Sequence, residues 1–387
     1  MAEATTTKPA PNRPMLSNDI MSRRPPYDTW IESTGVPIHK GYYIEDARTV
    51  EVGPWPEREC NAAFLQLAGC EGVTEARITE IPAGATLPPL RFSLDEIVYV
   101  VEGRGTTTVW SDHSQKKTFE WQKHSLFLLP RNFSHQLTNM QGSAPARLLH
   151  YNYLPSALAI TPDPDFFFKN PYHGHDENGQ EADFYSEAKV ILPTGDDESS
   201  GRAYWNGNFF PDMRAWDKLV PFRGRGAGGH VVWIQYPTST ITNHMSVFPA
   251  QTYKKAHRHG PGVVIIIPSG EGFSVMWPEG HDKVFIPWHE GSVFVPPNRW
   301  FHQHFNVGQA PGRYLAFHAP RFSNAGANTE RIEDRARDQI EYPQEDAWIR
   351  ETFEKQLADR GLKSLMPEQA YKQADFEWSY DQSQKND

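Results

Sequence analysis

Two short stretches of this 387-residue sequence decide its fold: Ala256-His257-Arg258-His259 and, further along, Trp300-Phe301-His302-Gln303-His304. Residues two apart in a strand point to the same face of a sheet, so His257 and His259 project together. His302 can join them from a neighbouring strand. Three imidazoles that converge on one point form a transition-metal site with open coordination positions. The pattern therefore predicts one metal held by His257, His259 and His302.

These stretches resemble the two motifs of the cupin family. The first motif is HxH, then Glu, then Gly. It is matched at His257, His259 and Gly270, while Val263 stands at the Glu position. The second motif is matched at Gly291, Pro297, His302 and Asn306, while Arg299 replaces its middle Gly. The resemblance implies a jelly-roll β-barrel with a metal pocket inside it.

An earlier stretch, Leu90 to Gly105, aligns with this region without a gap, so we infer an internal repeat. The aligned pairs are Leu90 with His257, Phe92 with His259, Glu96 with Val263, Gly103 with Gly270, and Gly105 with Gly272. The second motif recurs at Pro130, His135 and Asn139, with Asn132 at its middle Gly and His124 at its first. With only Glu96 and His135 at ligand positions, the first copy is expected to hold no metal and to fill its centre with Leu90 and Phe92.

The predicted fold is therefore all-β, with two jelly-roll barrels of cupin type and a helical C-terminal tail. The expected boundaries are 1–56 for an N-terminal arm and lead-in, 57–155 for the first barrel, 156–229 for a connecting segment, 230–320 for the metal-binding barrel and 321–387 for the tail. The arm up to about Pro26 is expected to be disordered. In the tail, Ile349, Phe353 and Leu357 recur at helical spacing, and Gly361 is the expected helix stop.

Composition restricts the function classes. The formal net charge is −10, from 38 basic and 48 acidic residues, and no basic stripe indicates a nucleic-acid binder. No apolar run approaches the length that spans a bilayer, so no membrane partner is expected. Cys60 and Cys70 lack the number and spacing of a disulfide framework. These features predict a cytoplasmic protein, which we expect to be a homo-oligomer.

A three-histidine site without the Glu resembles that of the ferrous ring-cleaving dioxygenases, such as gentisate and salicylate dioxygenases. The manganese bicupins that decarboxylate oxalate keep the Glu. The resemblance implies Fe(II), with Mn, Ni or Zn as alternatives, and the ligands alone do not select the metal because imidazole suits Fe, Ni, Cu and Zn alike. It also implies a small anionic aromatic or diketone-like substrate, dioxygen as co-substrate and cleavage of a C–C bond. The alternatives are an oxygen-independent decarboxylase, isomerase or hydrolase, and a non-catalytic ligand-binding cupin.

Strand alternation and motif position select the residues expected around the metal. His304 shares its face with His302 and is the candidate catalytic residue. The candidate substrate-binding residues are Gln251, Tyr253, Trp277, Arg299 and Arg313. Arg299 is included because a guanidinium suits bidentate binding of a carboxylate.

Overall fold

The computed structural model describes residues 24–112, 114–173, 184–186, 188–191, 204–215, 220–222, 224–320 and 337–380. The disorder expected at the N-terminus therefore falls mostly on residues 1–23, which lie outside the described part. The described chain forms two barrels, each made of a large and a small sheet. Nearly all strand pairs are antiparallel, so the predicted all-β class and the two jelly-roll barrels are confirmed.

The large sheet of the first barrel also contains strands that lie before and after the predicted limits of this barrel, residues 57–155. In spatial order this sheet contains β1 (Ile38–Gly41), β4 (Cys60–Leu67), β5 (Glu75–Ile81), β12 (Ala146–Asn152), β7 (Glu96–Glu102), β10 (Leu126–Leu129) and β15 (Phe209–Phe210), with β3 (Gly53–Trp55) beside β4. The small sheet contains β6 (Leu90–Arg91), β11 (Ser134–Asn139), β8 (Arg104–Trp110) and β9 (Lys117–Gln122). The lead-in and the connecting segment thus each supply an edge strand.

The second barrel repeats this arrangement. Its large sheet contains β13 (Lys189–Ile191), β14 (Tyr204–Asn206), β17 (His230–Gln235), β18 (Thr242–Phe248), β25 (Gly312–His318), β20 (Val264–Ser269), β23 (Val293–Phe294) and β2 (Tyr43–Ile44), with β16 (Val220–Pro221) beside β17. Its small sheet contains β22 (Val284–His289), β21 (Glu271–Trp277), β24 (Phe301–Asn306), β19 (Ala256–His257) and β26 (Gln339–Ile340).

The α-helices of the described chain are short and lie outside the barrels. They are α1 (Pro26–Ser33), α2 (Leu154–Ile160), α3 (Pro164–Phe168) and α4 (Ala347–Ala358). Helix α4 starts at Asp346, whose carboxylate accepts a hydrogen bond from the Trp348 amide, and its predicted stripe of Ile349, Phe353 and Leu357 is buried. That stripe packs on the small sheet of the second barrel. None of the described helices has the length and apolar character needed to cross a membrane.

The two barrels share one apolar core between their large sheets. Leu65, Ile78 and Leu149 from the first barrel lie in the same buried cluster as Met245 and Leu315 from the second. Across this interface the Tyr151 hydroxyl donates a hydrogen bond to the carbonyl of Gly262 at 2.8 Å. Each barrel therefore covers the outer face of the other's large sheet, and only the opposite faces look into the barrel interiors.

Matching glycines confirm the internal repeat. A Cβ on Gly105 would lie 2.0 Å from the carbonyl oxygen of Thr138, and one on Gly272 would lie 1.9 Å from that of Phe305. Each would also meet the ring of a tryptophan, Trp121 in the first barrel and Trp288 in the second. Only glycine fits where a backbone approaches this closely.

Matching asparagines make the same bonds in both barrels. The Asn139 amide donates to the carbonyls of Ile81, Pro82 and Ala144. The Asn306 amide donates to those of Phe248, Pro249 and Ala310. Each side chain ties the end of its strand to two neighbouring turns, and this fixes the register of the strand that carries His135 or His302.

We predict that Gly272→Ala destabilises the protein by about 3 kcal/mol, because the added methyl group must displace backbone or the Trp288 ring. Urea unfolding monitored by circular dichroism measures this. Gly142→Ala is the matched control, since a Cβ at Gly142 meets nothing within 4 Å. We expect it to change the free energy of unfolding by less than about 0.5 kcal/mol. Equal stability of the two variants would contradict the close approach described above.

Candidate metal centre

Strand pairing brings the three predicted histidines together. His257 on β19 lies directly opposite His302 on the antiparallel strand β24. His259 follows two residues later on the same side. Each ring offers one nitrogen to a common point, and these three nitrogens lie within 4.8 Å of one another. The ring centroids of His257 and His302 are 4.3 Å apart, and those of His259 and His302 are 4.7 Å apart.

Backbone carbonyls orient all three rings. The Nδ1 atom of His259 lies 2.7 Å from the carbonyl oxygen of Gly260, that of His302 lies 3.2 Å from the oxygen of Trp300, and that of His257 lies 3.4 Å from the oxygen of Lys255. A carbonyl only accepts, so Nδ1 carries the proton in each ring. The lone pair is left on Nε2, as a metal ligand requires.

Burial keeps these imidazoles neutral. It lowers the pKa of His257 and His302 well below the usual range and lowers the pKa of His259 to about 4. The positive charge of Arg225 adds to the effect at all three rings. Neutral donors, a common focus and fixed tautomers fit a divalent transition metal.

No carboxylate of the described chain completes this set of ligands. Val263, at the position of the family's Glu, is buried in the apolar cluster inside the barrel together with Ile265 and Phe294. The wall formed by these residues is therefore apolar. Val295, the residue after Phe294, belongs to the core between the barrels, because strand alternation turns it away.

The candidate catalytic residue His304 lies beside the metal centre. It is buried, and its ring centroid is 5.6 Å from that of His302 and 6.4 Å from that of His257. Its Nδ1 is 2.8 Å from the hydroxyl of Ser274, which in turn accepts a hydrogen bond from the Trp288 indole at 3.1 Å. Burial lowers the pKa of His304 to about 3, so it is neutral. The structure thus brings His304 into the pocket, and its catalytic role stays a prediction.

A buried lysine that the sequence did not suggest lies beyond His304. Lys254 Nζ donates to the hydroxyl of Ser246 and, at 3.3 Å, to the hydroxyl of Tyr314. The Tyr314 ring lies 4.8 Å from the His304 ring. Burial lowers the pKa of Lys254 well below its usual range and raises that of Tyr314 to about 12. These groups can exchange a proton inside the barrel.

A second histidine pair also lines the interior of this barrel. Nδ1 of His244 lies 2.7 Å from Nε2 of His318, and both rings pack against Trp233. Alternation along β18 and β25 puts them on the same face as Ser246 and Tyr314. Their even spacing from those residues is the signal that could have identified them.

Three of the candidate substrate-binding residues point away from the three-histidine cluster. Tyr253 is fully buried, stacks on Phe305 and donates to the carboxylate of Glu345. Trp277 stacks on Phe301 in the same cluster under α4. The Arg313 side chain lies on the opposite face of β25 from Tyr314. The structure therefore does not place Tyr253, Trp277 or Arg313 in the pocket.

The remaining two candidates lie in turns. Gln251 has a left-handed backbone, with φ of 58°. The alternation counted back from His257 is interrupted before it reaches Gln251, because His257 pairs with His302 whereas Tyr253 pairs with Phe305, so this side of the pair has one extra residue. This irregularity points Lys254 inward and Tyr253 outward. Arg299 also has positive φ, 63°, and its amide bonds to the carbonyl of His259, next to the metal centre. Its guanidinium is engaged by both carboxylate oxygens of Asp338. The Asp338 carboxylate thus already binds the guanidinium that was expected to bind the substrate.

Comparison with known proteins gives distant similarities. No family model and no curated protein matches this sequence. The chain is similar to the formate complex of oxalate decarboxylase from Lactobacillus farciminis, with 13% identity and a TM-score of 0.47 over 76% of this chain and 93% of that chain. It is also similar to the Bacillus subtilis oxalate decarboxylase with Mn(II) centres, with 13% identity and a TM-score of 0.46 over 74% and 79%. Similarity this distant does not extend to a reaction.

We predict about one equivalent of a first-row metal in the purified protein, measured by elemental analysis. His302→Ala removes one of three ligands and should weaken metal binding at least about tenfold. His281→Ala, which removes an exposed histidine outside the pocket, is the control and should keep the metal content. Full metal content in His302→Ala would show that the site lies elsewhere.

Acid should destabilise the metal-free chain. A histidine whose pKa falls on folding binds fewer protons folded than unfolded, so stability is lost as the pH drops below the unfolded pKa of about 6.5. The loss extends down to the folded pKa, about 3 for His304. We expect His304→Gln to reduce the stability difference between pH 7 and pH 5 by about 1–2 kcal/mol.

Urea unfolding at the two pH values measures that difference. The exposed His281 serves again as the control, and His281→Gln should leave the difference unchanged. If His304→Gln showed the same pH dependence as the parent chain, folding would leave the pKa of His304 unchanged, which would contradict the lowered pKa described above.

Proposed function

We propose that the second barrel is the active site of a metal-dependent enzyme that acts on a small chelating organic acid. The observation that carries this proposal is the convergence of three neutral imidazoles with fixed tautomers, two buried and one half-buried, on one point. His257, His259 and His302 would hold the metal through Nε2, with Fe(II) as the first expectation and Mn, Ni or Zn as alternatives. A divalent ion there would polarise the substrate oxygens that it binds.

The charge of the site supports an anionic substrate. Three neutral ligands leave the charge of a divalent ion uncompensated, whereas a Glu at the position of Val263 would have removed one unit. The guanidinium of Arg225 adds positive charge, since it lowers the pKa of all three histidines. The walls around them are apolar. A substrate with two oxygen donors and one or two negative charges balances this environment.

The proton-handling groups beyond His304 favour an oxygen-independent reaction, and decarboxylation fits them best. When a carboxyl group leaves as carbon dioxide, the carbon that it leaves must receive a proton. In a pocket that excludes water this proton must come from the chain. Lys254 Nζ and Tyr314 Oη hold protons inside the barrel, and His304 lies between them and the metal ligands. We assign proton delivery to this group.

Oxygen-dependent cleavage of a C–C bond is the second candidate. The absence of a carboxylate among the described ligands favours it, because an electron-rich chelating anion is then the charge partner for the metal. The apolar walls of Val263, Ile265 and Phe294 would also keep water from reactive species. The two candidates share the metal ligands and the class of substrate, and they differ in their need for dioxygen.

Turnover with and without dioxygen separates the two. We expect metal-loaded protein to release carbon dioxide from at least one member of a panel of ortho-hydroxy acids, diketo acids and oxalate, at equal rates in air and under strict anaerobiosis. An oxygen electrode and carbon dioxide detection measure this. Lys254→Met should lower kcat by about 100-fold with the metal content unchanged, because it removes the proton source.

Lys372→Met is the matched control, since Lys372 is exposed in the tail, and it should turn over normally. Oxygen consumption that is stoichiometric with substrate would reject decarboxylation and support the dioxygenase. A fully active Lys254→Met variant would remove the assigned proton donor.

A further inference from the structure

The interior of the first barrel contains a cavity. Leu90 and Phe92, which stand where the second barrel has two metal ligands, line this cavity together with Trp55 and Phe168. The expectation that Leu90 and Phe92 fill the centre is therefore wrong. They supply one apolar wall, and the Phe92 ring stacks on Phe168 at 5.0 Å.

One side of the cavity is a buried polar network built around Glu96. Its Oε1 accepts hydrogen bonds from Arg77 at 2.9 Å and from Asn152 at 3.0 Å, and its Oε2 lies 2.8 Å from Nδ1 of His150. Despite burial, the charge of Arg77 and the hydrogen bond from His150 lower the pKa of Glu96, so it is ionised. Both oxygens of the Glu96 carboxylate are therefore hydrogen-bonded within the protein, and these bonds hold this side of the cavity in place.

His150 and His135 leave hydrogen-bonding capacity open. Burial lowers the pKa of both, that of His135 to about 4, so both are neutral. Because the Glu96 carboxylate accepts from Nδ1–H of His150, Nε2 of that ring is an acceptor, and it is buried with no partner among the described residues. His135, opposite Leu90 in the register, also lines the cavity. A buried acceptor without a donor is costly.

Arg58 adds a positive charge to the lining of the cavity. Its guanidinium lies 5.6 Å from the Trp55 ring and 5.0 Å from the Phe168 ring, and these two rings hold it at the cavity wall. No carboxylate of the described chain forms an ion pair with it, although Arg58 is half-buried. Most half-buried arginines that keep a fixed position have an anionic partner, and a planar guanidinium suits a carboxylate.

We propose that the first barrel is a second binding site, which takes a small hydroxy acid without a metal. The carboxylate of the ligand pairs with Arg58, its hydroxyl donates to Nε2 of His150, and its carbon frame lies against Leu90 and Phe92. This site shares no residue with the metal centre and does not depend on the reaction assigned there. The interior of each barrel would then bind an organic acid, through a metal in one and through Arg58 in the other.

Titration of the full-length His302→Ala chain, freed of metal, tests this site alone. The probes are glycolate, lactate and mandelate, each with its analogue that lacks the hydroxyl: acetate, propionate and phenylacetate. Ligand-observed NMR gives the dissociation constants. We expect at least one hydroxy acid to bind with 1:1 stoichiometry and at least about tenfold more tightly than its analogue, because only the hydroxyl satisfies His150. This comparison requires no substitution in the cavity.

Arg58→Gln should weaken that binding by a further factor of about ten or more. Arg104→Gln, the same change at an exposed position of β8, is the control and should stay within about twofold of the parent. Circular dichroism checks that both variants fold. No binding of any probe at about 10 mM, equal binding of a hydroxy acid and its analogue, or unchanged affinity in Arg58→Gln would each overturn the proposal.

Discussion

The candidate site depends on the pairing of β19 with β24, in which His257 lies opposite His302. Side chains alternate along a strand, so a slip of one residue would turn His302 into the tail cluster and bring Phe301 or Gln303 to the metal position. Features on both sides prevent that slip. Asn306 anchors one end of β24. The close approach of Gly272 to Phe305 fixes the register of β24 against β21, its neighbour on the other side. The ligand set is thus a product of backbone geometry.

The same backbone geometry serves two different interiors. The two barrels agree in their tight glycines and their anchoring asparagines. Among the interior positions at which they differ, Leu90, Phe92 and Glu96 stand where the second barrel has His257, His259 and Val263. The second barrel therefore has a candidate metal site of three histidines without a carboxylate. The first barrel has a buried carboxylate, that of Glu96, which is bonded to Arg77 and His150. Because the scaffold bonds lie outside these positions, the interior can change without loss of the fold.

The sequence predicted what depends on local spacing and missed what depends on distant partners. Alternation and the repeated motifs predicted both barrels, the convergence of His257, His259 and His302, and the place of His304 beside them. The alternation count failed between Tyr253 and His257, where one extra residue reverses the facing of the strand and points Lys254 inward in place of Tyr253. The partner of Arg299, Asp338, comes from the tail, and no periodicity in the sequence predicts that contact. The connecting segment likewise gave no sign that it would supply edge strands to both barrels.

The lead-in joins the two barrels at the very start of the described chain. Strand β1 pairs with β4 of the first barrel, and only a few residues later β2 pairs with β23 of the second, at Tyr43 opposite Phe294. On the ribosome, residue 43 emerges long before residue 294 is made. At a synthesis rate of about 5–20 residues per second, β2 stays unpaired for roughly 12–50 s before β23 is made. The first barrel can close during synthesis, but the chain reaches its native topology only when the second barrel captures a strand made at the beginning.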